Sequence, residues 1–172
     1  MTSVLRRIFG TADPRDAWRA LYDAIVARGR DPFWYRDGGV PDSIDGRFDM
    51  IAALTALVLL RLEDEGEAGR APAVFLGELF VADMDSSLRE IGIGDYVVGK
   101  HIGRMMSALG GRLAAFRAAA PDGDLAPAVA RNIFHEAPPT PAALAAVAGR
   151  LASFRAALAE RTLDDLKAAR LP

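Results

Sequence analysis

Between Arg47 and Leu62 the chain places Phe48, Met50, Ile51, Leu54, Leu57, Val58, Leu59, Leu60 and Leu62, with alanine filling most of the gaps. Wound at 3.6 residues per turn, this segment is apolar on every side instead of along one stripe, so a helix here has to be surrounded. Other helices must therefore wrap it. The run from Met50 to Leu60 is interrupted by Thr55 and falls well short of the ~20 residues that a membrane-spanning helix requires, so the expectation is the core helix of a soluble protein.

The rest of the sequence supplies the wrapping helices. Asp13-Pro14 is a helix start, followed by Trp18, Leu21, Tyr22 and Ile25 on one face and Gly29 as a stop. Residues 30–46 hold two prolines and three glycines and predict a structured loop. The acidic run Glu63, Asp64, Glu65 and Glu67 sits where a helix dipole disfavours anions and predicts a solvated loop. Pro72 is expected to open a helix carrying Leu76, Phe80, Met84, Leu88 and Ile91 on one face, ended by Gly92 and Gly94. Asp95 can cap the next, in which Val98, Ile102, Met105, Leu109, Leu113 and Phe116 keep the three-and-four rhythm, and the two should form an antiparallel hairpin.

Residues 121–141 predict a connector with a short helix near Ala128 to Phe134. Thr140-Pro141 restarts helix, and Leu144, Val147, Leu151, Phe154 and Leu158 make a narrow seam suited to packing on another helix. Thr162 starts a last short helix reaching Arg170. No segment has a strand period and no repeat is visible. With 172 residues, 51% of them hydrophobic, the chain suffices for one core. The fold class is all-α: a single-domain helical bundle of about six helices around a central buried helix.

Catalytic apparatus is not visible. There is no cysteine for a disulfide, a thiolate metal site or a nucleophile, and neither His101 nor His135 belongs to a Glu-x-x-His pattern. Ser86, Ser87 and Ser107 lack the strained Gly-x-Ser-x-Gly setting, and Gly92-Ile93-Gly94 is neither preceded by a strand nor completed as a phosphate loop. The expectation is a protein that is not an enzyme and holds no metal or other cofactor. With 21 basic against 23 acidic residues and a formal charge of −2, no global field gathers nucleic acid. Arg6 and Arg7 are followed only by Ile8 and Phe9 before Gly10, so no cleaved targeting segment is expected. Val4 to Phe9 is either a frayed terminus or a segment that lies on an anionic membrane surface.

Two groups of residues remain as binding candidates. Along Ala82 to Lys100, Asp85 and Arg89 stand four apart as an exposed pair, while Asp83 and Glu90 border the apolar face and either anchor a neighbouring helix or await a cationic partner. In the 30–46 segment, Phe33-Trp34-Tyr35 precedes Gly38, Gly39, Val40, Pro41 and Asp42. Its rings either seal the core as a lid or form an exposed aromatic anchor. Met50, Met84, Met105 and Met106 either pack the core or give a surface plasticity.

The order Phe33-Trp34-Tyr35, Val40-Pro41-Asp42-Ser43, Asp45-Gly46-Arg47-Phe48-Asp49, Asp83-Met84-Asp85, Leu88-Arg89-Glu90 and Gly94-Asp95 resembles the ubiquinol-cytochrome c chaperone family, over roughly residues 30 to 118. The resemblance implies an assembly chaperone for respiratory complex III whose client is newly made cytochrome b or another complex III component, and it implies no catalytic residue. A helper protein and the ribosome are partners of mitochondrial members. A bacterial member is expected in the cytoplasm, peripheral at the inner face of the inner membrane. The partner-binding candidates are Phe33, Trp34, Tyr35, Val40, Pro41, Asp42, Asp83, Asp85, Arg89, Glu90, Asp95 and Lys100. Two positions depart from the family pattern: Thr55 stands where a histidine is associated with the family, and Leu109-Gly110-Gly111-Arg112 replaces an aromatic-Gly-Arg segment. The competing reading is a helical structural module, a homodimer through the Leu144 to Leu158 seam.

Overall fold

The computed structural model describes residues 13–90, 95–119, 123–135 and 140–172. Its helices are α1 (Asp16–Gly29), α2 (Pro32–Arg36), α3 (Ile44–Asp64), α4 (Glu67–Glu90), α5 (Asp95–Ala118), α6 (Ala126–Asn132), α7 (Pro141–Ala159) and α8 (Leu163–Lys167). Among the described residues there is no strand. The all-apolar segment is α3, and every side chain from Asp49 to Leu59 is buried. It touches α1, α4, α5 and α7, which is the wrapping its composition demands. Each fully buried Leu, Ile or Met there contributes about 1.5–3 kcal/mol of transfer free energy, so α3 carries the largest share of the core.

Several boundaries differ from those expected, each for a local reason. α1 begins two residues beyond Asp13-Pro14, and the Asp13 carboxylate accepts from the Arg15 backbone N–H at 2.9 Å. The 30–46 segment is not all loop: Asp31 caps the five-residue α2 by accepting from Phe33 N, and Ser43 starts α3 by accepting from Gly46 N at 3.1 Å. At Gly46 a Cβ would stand 2.0 Å from the Pro41 carbonyl oxygen, so only glycine allows the chain to pass itself there. The acidic run is not a loop either. α3 runs through Asp64, Gly66 takes φ +61° to end it, and Glu67 already belongs to α4, so Pro72 lies inside α4 and not at its start. Glu63 and Glu65 are held by Arg117 and Arg61 respectively. The expected caps at Gly92, Gly94 and the Asp95 side chain lie outside the described residues.

The C-terminal region is built into the same core. Val147, Leu151, Phe154 and Leu158 are buried, and α7 packs on α3 and α6. The seam proposed for a homodimer is thus occupied by the chain itself. Arg61 in the last turn of α3 donates to the Leu158 carbonyl at 3.2 Å and the Arg161 carbonyl at 2.6 Å, tying the turn after α7 to α3. Arg150 binds Asp31 at 2.7 Å from the other direction. By length and composition α7 is apolar enough to cross a membrane, with a mean hydropathy of 1.4. Its large side chains nevertheless point into the core, and Ala142, Ala145, Gly149, Ser153 and Ala156 face outward.

Candidate functional site

α4 and α5 pack against each other and on α3 with their large side chains, Leu76, Leu79, Phe80, Met84 and Leu88 from one and Leu109 and Phe116 from the other. What they leave outside is mostly small. Ala73, Val74, Gly77, Val81 and Ala82 of α4 and Gly99, Ile102 and Met106 of α5 line an open groove of about 860 Å³. A Cβ built at Gly77 or Gly99 meets nothing within 4 Å, so the glycines here make room instead of accommodating a tight crossing. Val74 and Met106 are two of the most exposed large apolar side chains described, at 54% and 38%.

The charges on the groove's rim are already paired. Arg15 binds Asp13 at 2.6 Å and lies 3.9 Å from Glu78, while Asp85 accepts from Arg89 at 2.8 Å across one helical turn. Asp13 is held down to about 2 by Arg15, so that end stays ionised and neutralised across the physiological range. The surface offered is therefore apolar along its floor and electrically quiet at its edges.

A second cluster is internal. Arg112 of α5 pairs with Asp49 of α3, each about 2–3% exposed, and donates to the Asn132 carbonyl at 2.6 Å and the Ala108 carbonyl at 3.1 Å. His135 Nε2 lies 2.7 Å from the other Asp49 oxygen, and the Arg112 guanidinium stands 5.5 Å above the Phe48 ring. Burial pushes the Asp49 carboxyl above the usual carboxylate range, with Arg112 and His135 opposing that shift. The third member is a guanidinium, which repels cations, so this is an ion-pair tie joining α3, α5 and the segment after α6. Sequence reasoning missed it although a signal was present: Arg112 is three residues after Leu109 and four before Phe116, on the apolar face.

The structure separates the sequence candidates. Trp34 is 1% exposed, with its indole N–H donating to the Arg28 carbonyl at 2.8 Å, and Val40 is 2% exposed; both are core residues of this structure, which favours the lid over the exposed anchor. Tyr35 is half-buried and donates to the Gly29 carbonyl at 2.6 Å, and Phe33 is half-buried under the Arg150 guanidinium at 4.2 Å. Pro41 and Asp42 are exposed, Asp42 bound to Arg47 at 2.7 Å. Asp83 is the anchor of a neighbouring helix: it accepts from the Tyr22 hydroxyl of α1 at 2.7 Å. Glu90 and Lys100 are exposed, and the side chain of Asp95 is outside the described residues. Of the candidates whose side chains are described, only Asp85 and Arg89 line the groove. Met50 and Met84 are core residues and Met105 packs against the core, which leaves Met106 as the methionine of the open surface.

Comparisons with known proteins agree with this architecture. The model of a family described as ubiquinol-cytochrome C chaperone matches residues 36–171, well over half of the chain. The match extends past residue 118 through the C-terminal helices, and it begins after Phe33-Trp34-Tyr35. The fold is similar to the crystal structure of the Cbp3 homolog from Brucella abortus, with a TM-score of 0.79 and 32% identity, covering 99% of this chain and 95% of that one. No curated protein sequence matches the chain.

Proposed function

Because the chain belongs to the ubiquinol-cytochrome c chaperone family, we propose that it holds newly made cytochrome b before assembly into complex III, by seating an apolar helix of that client in the groove between α4 and α5. It acts by binding and performs no chemistry. The observation that carries this reading is the groove's combination of an apolar floor with rim charges that are internally paired. A membrane subunit awaiting its partners exposes uncharged helices, and an occupant of that kind brings no counter-charge, so free cations or carboxylates at the rim would oppose it. The small floor residues suit it too, since helices in apolar surroundings associate where glycine and alanine let backbones approach. Met106 adds an adaptable contact at the rim of the same surface.

The test is affinity purification from membranes followed by mass spectrometry, comparing the native chain with Met106→Asp and Gly99→Asp. The expected result is recovery of complex III subunits with cytochrome b foremost, reduced tenfold or more by either substitution, about 1.4 kcal/mol, at an unchanged melting temperature. Recovery of other copies of this chain alone would instead favour the structural-module reading.

A further inference from the structure

The C-terminal ends of α3, α5 and α7 come together around a pocket of about 310 Å³. Small-ligand sites begin at about 300 Å³, so it suits a small organic group and not a helix. Leu57 and Leu60 of α3 with Leu158 and Ala159 of α7 make its apolar wall. Its charged lining is Arg61, Glu63 and Asp64 of α3, Arg117 of α5 and Arg155 of α7, a formal +3 − 2 = +1 in a chain whose total is −2. Two of the three guanidinium groups are committed. Arg61 holds Glu65 and the Leu158 and Arg161 carbonyls, and Arg117 holds both oxygens of Glu63 at 2.9 and 2.7 Å. Arg155 is different: its Nη1 is buried without an acceptor, and its guanidinium has no ion pair or hydrogen bond among the described residues. A charged donor kept out of water without an acceptor is costly, and an acceptor brought from outside removes that cost. The helix dipole does not account for this residue, because α7 carries no basic residue in its last turn and Arg155 stands just before that turn.

We propose that this pocket binds a monocarboxylate on a short aliphatic body, with the carboxylate paired to Arg155 and the hydrocarbon laid on Leu57, Leu60 and Leu158. One uncommitted guanidinium matches one carboxylate through its fork of donors. A doubly charged anion such as phosphate fits less well, since Glu63, Asp64 and the negative ends of three helices oppose a second charge while the apolar wall offers it nothing. A free aliphatic acid and the C-terminal residue of another polypeptide share this chemistry. The pocket shares no residue with the α4/α5 groove, so the proposal stands whether or not the client reading does.

The experiment is calorimetric titration of the full chain with isocaproate, its uncharged amide, acetate, and a tripeptide ending in leucine with its C-terminus free or amidated. Isocaproate should bind, and the amide and acetate should each bind about tenfold more weakly or worse, the scale of one charge-assisted hydrogen bond or a buried aliphatic group. Arg155→Met keeps the stem, removes the charge, and should weaken isocaproate by about tenfold or more without lowering the melting temperature. Ala159→Phe, at an exposed position on the pocket wall, should weaken it comparably with Arg155 in place. Tighter binding of the free-ended tripeptide than of isocaproate would assign the source to the end of a polypeptide, and the reverse order to a free acid. Equal affinity for acid and amide, equal affinity of the native and Arg155→Met chains, or acetate binding as well as isocaproate would overturn the proposal. So would the absence of binding by both isocaproate and the free-ended tripeptide at millimolar concentration.

Discussion

Residues 33–40 and the groove between α4 and α5 invert the usual association of large side chains with contact. The first region holds three consecutive aromatic rings, and each has an internal partner: the Arg28 carbonyl for Trp34, the Gly29 carbonyl for Tyr35 and the Arg150 guanidinium for Phe33. The second is floored mainly by glycine, alanine and valine, with Ile102 and Met106 beside them, and it is open. The difference teaches that side-chain size does not by itself say which surface is left available. A ring whose polar handle is consumed inside the fold is committed to stability, whereas small residues on the outer faces of two packed helices leave an open surface among the described residues.

The comparison breaks most readily at Trp34. Trp34→Ala should destabilise folding by about 3–5 kcal/mol, because it opens a cavity where the buried indole packs and removes its hydrogen bond to the Arg28 carbonyl. Chemical denaturation measures it, and an unchanged midpoint with lost client binding would move the aromatic segment back among the contacts. A smaller effect sharpens the other side. Tyr22→Phe removes the hydroxyl that Asp83 accepts, leaves a half-buried carboxylate without its donor, and should cost about 1 kcal/mol while client recovery holds. Loss of recovery at full stability would instead make Asp83 part of the client surface. Smallest of all, Asp85→Ala breaks a largely exposed pair and should change stability by only about 0.2–0.5 kcal/mol. A melting shift as large as that of Tyr22→Phe would show that the rim pair braces α4.

How much of this was legible in the residues varies with range. The seam Leu144 to Leu158 was readable as a packing face, but its partner was not: α7 docks on α3 and α6 of the same chain, and the homodimer reading had no way to know that. The exposed Asp85–Arg89 pair was readable because both partners sit on one helix. The Ser43 cap and the five-residue α2 were missed, since proline and glycine mark interruptions without saying what short structure lies between them.

What the sequence determined by itself is the class of fold and its centre. Apolar periodicity and all-round hydrophobicity are properties of a helix before it meets anything else, so α3 announces its burial, and α4, α5 and α7 announce the faces they bury. Only tertiary structure decided which charges meet. Asp49 and Arg112 are 63 residues apart and Tyr22 and Asp83 are 61 apart, and no local rule pairs them. Once α3 is enclosed, however, burial makes an unpaired charge costly, and packing selects the arrangement in which each finds its partner. The groove has the same origin: it is the space left over when two helices satisfy their large side chains against a third, a quantity that exists only after they have packed.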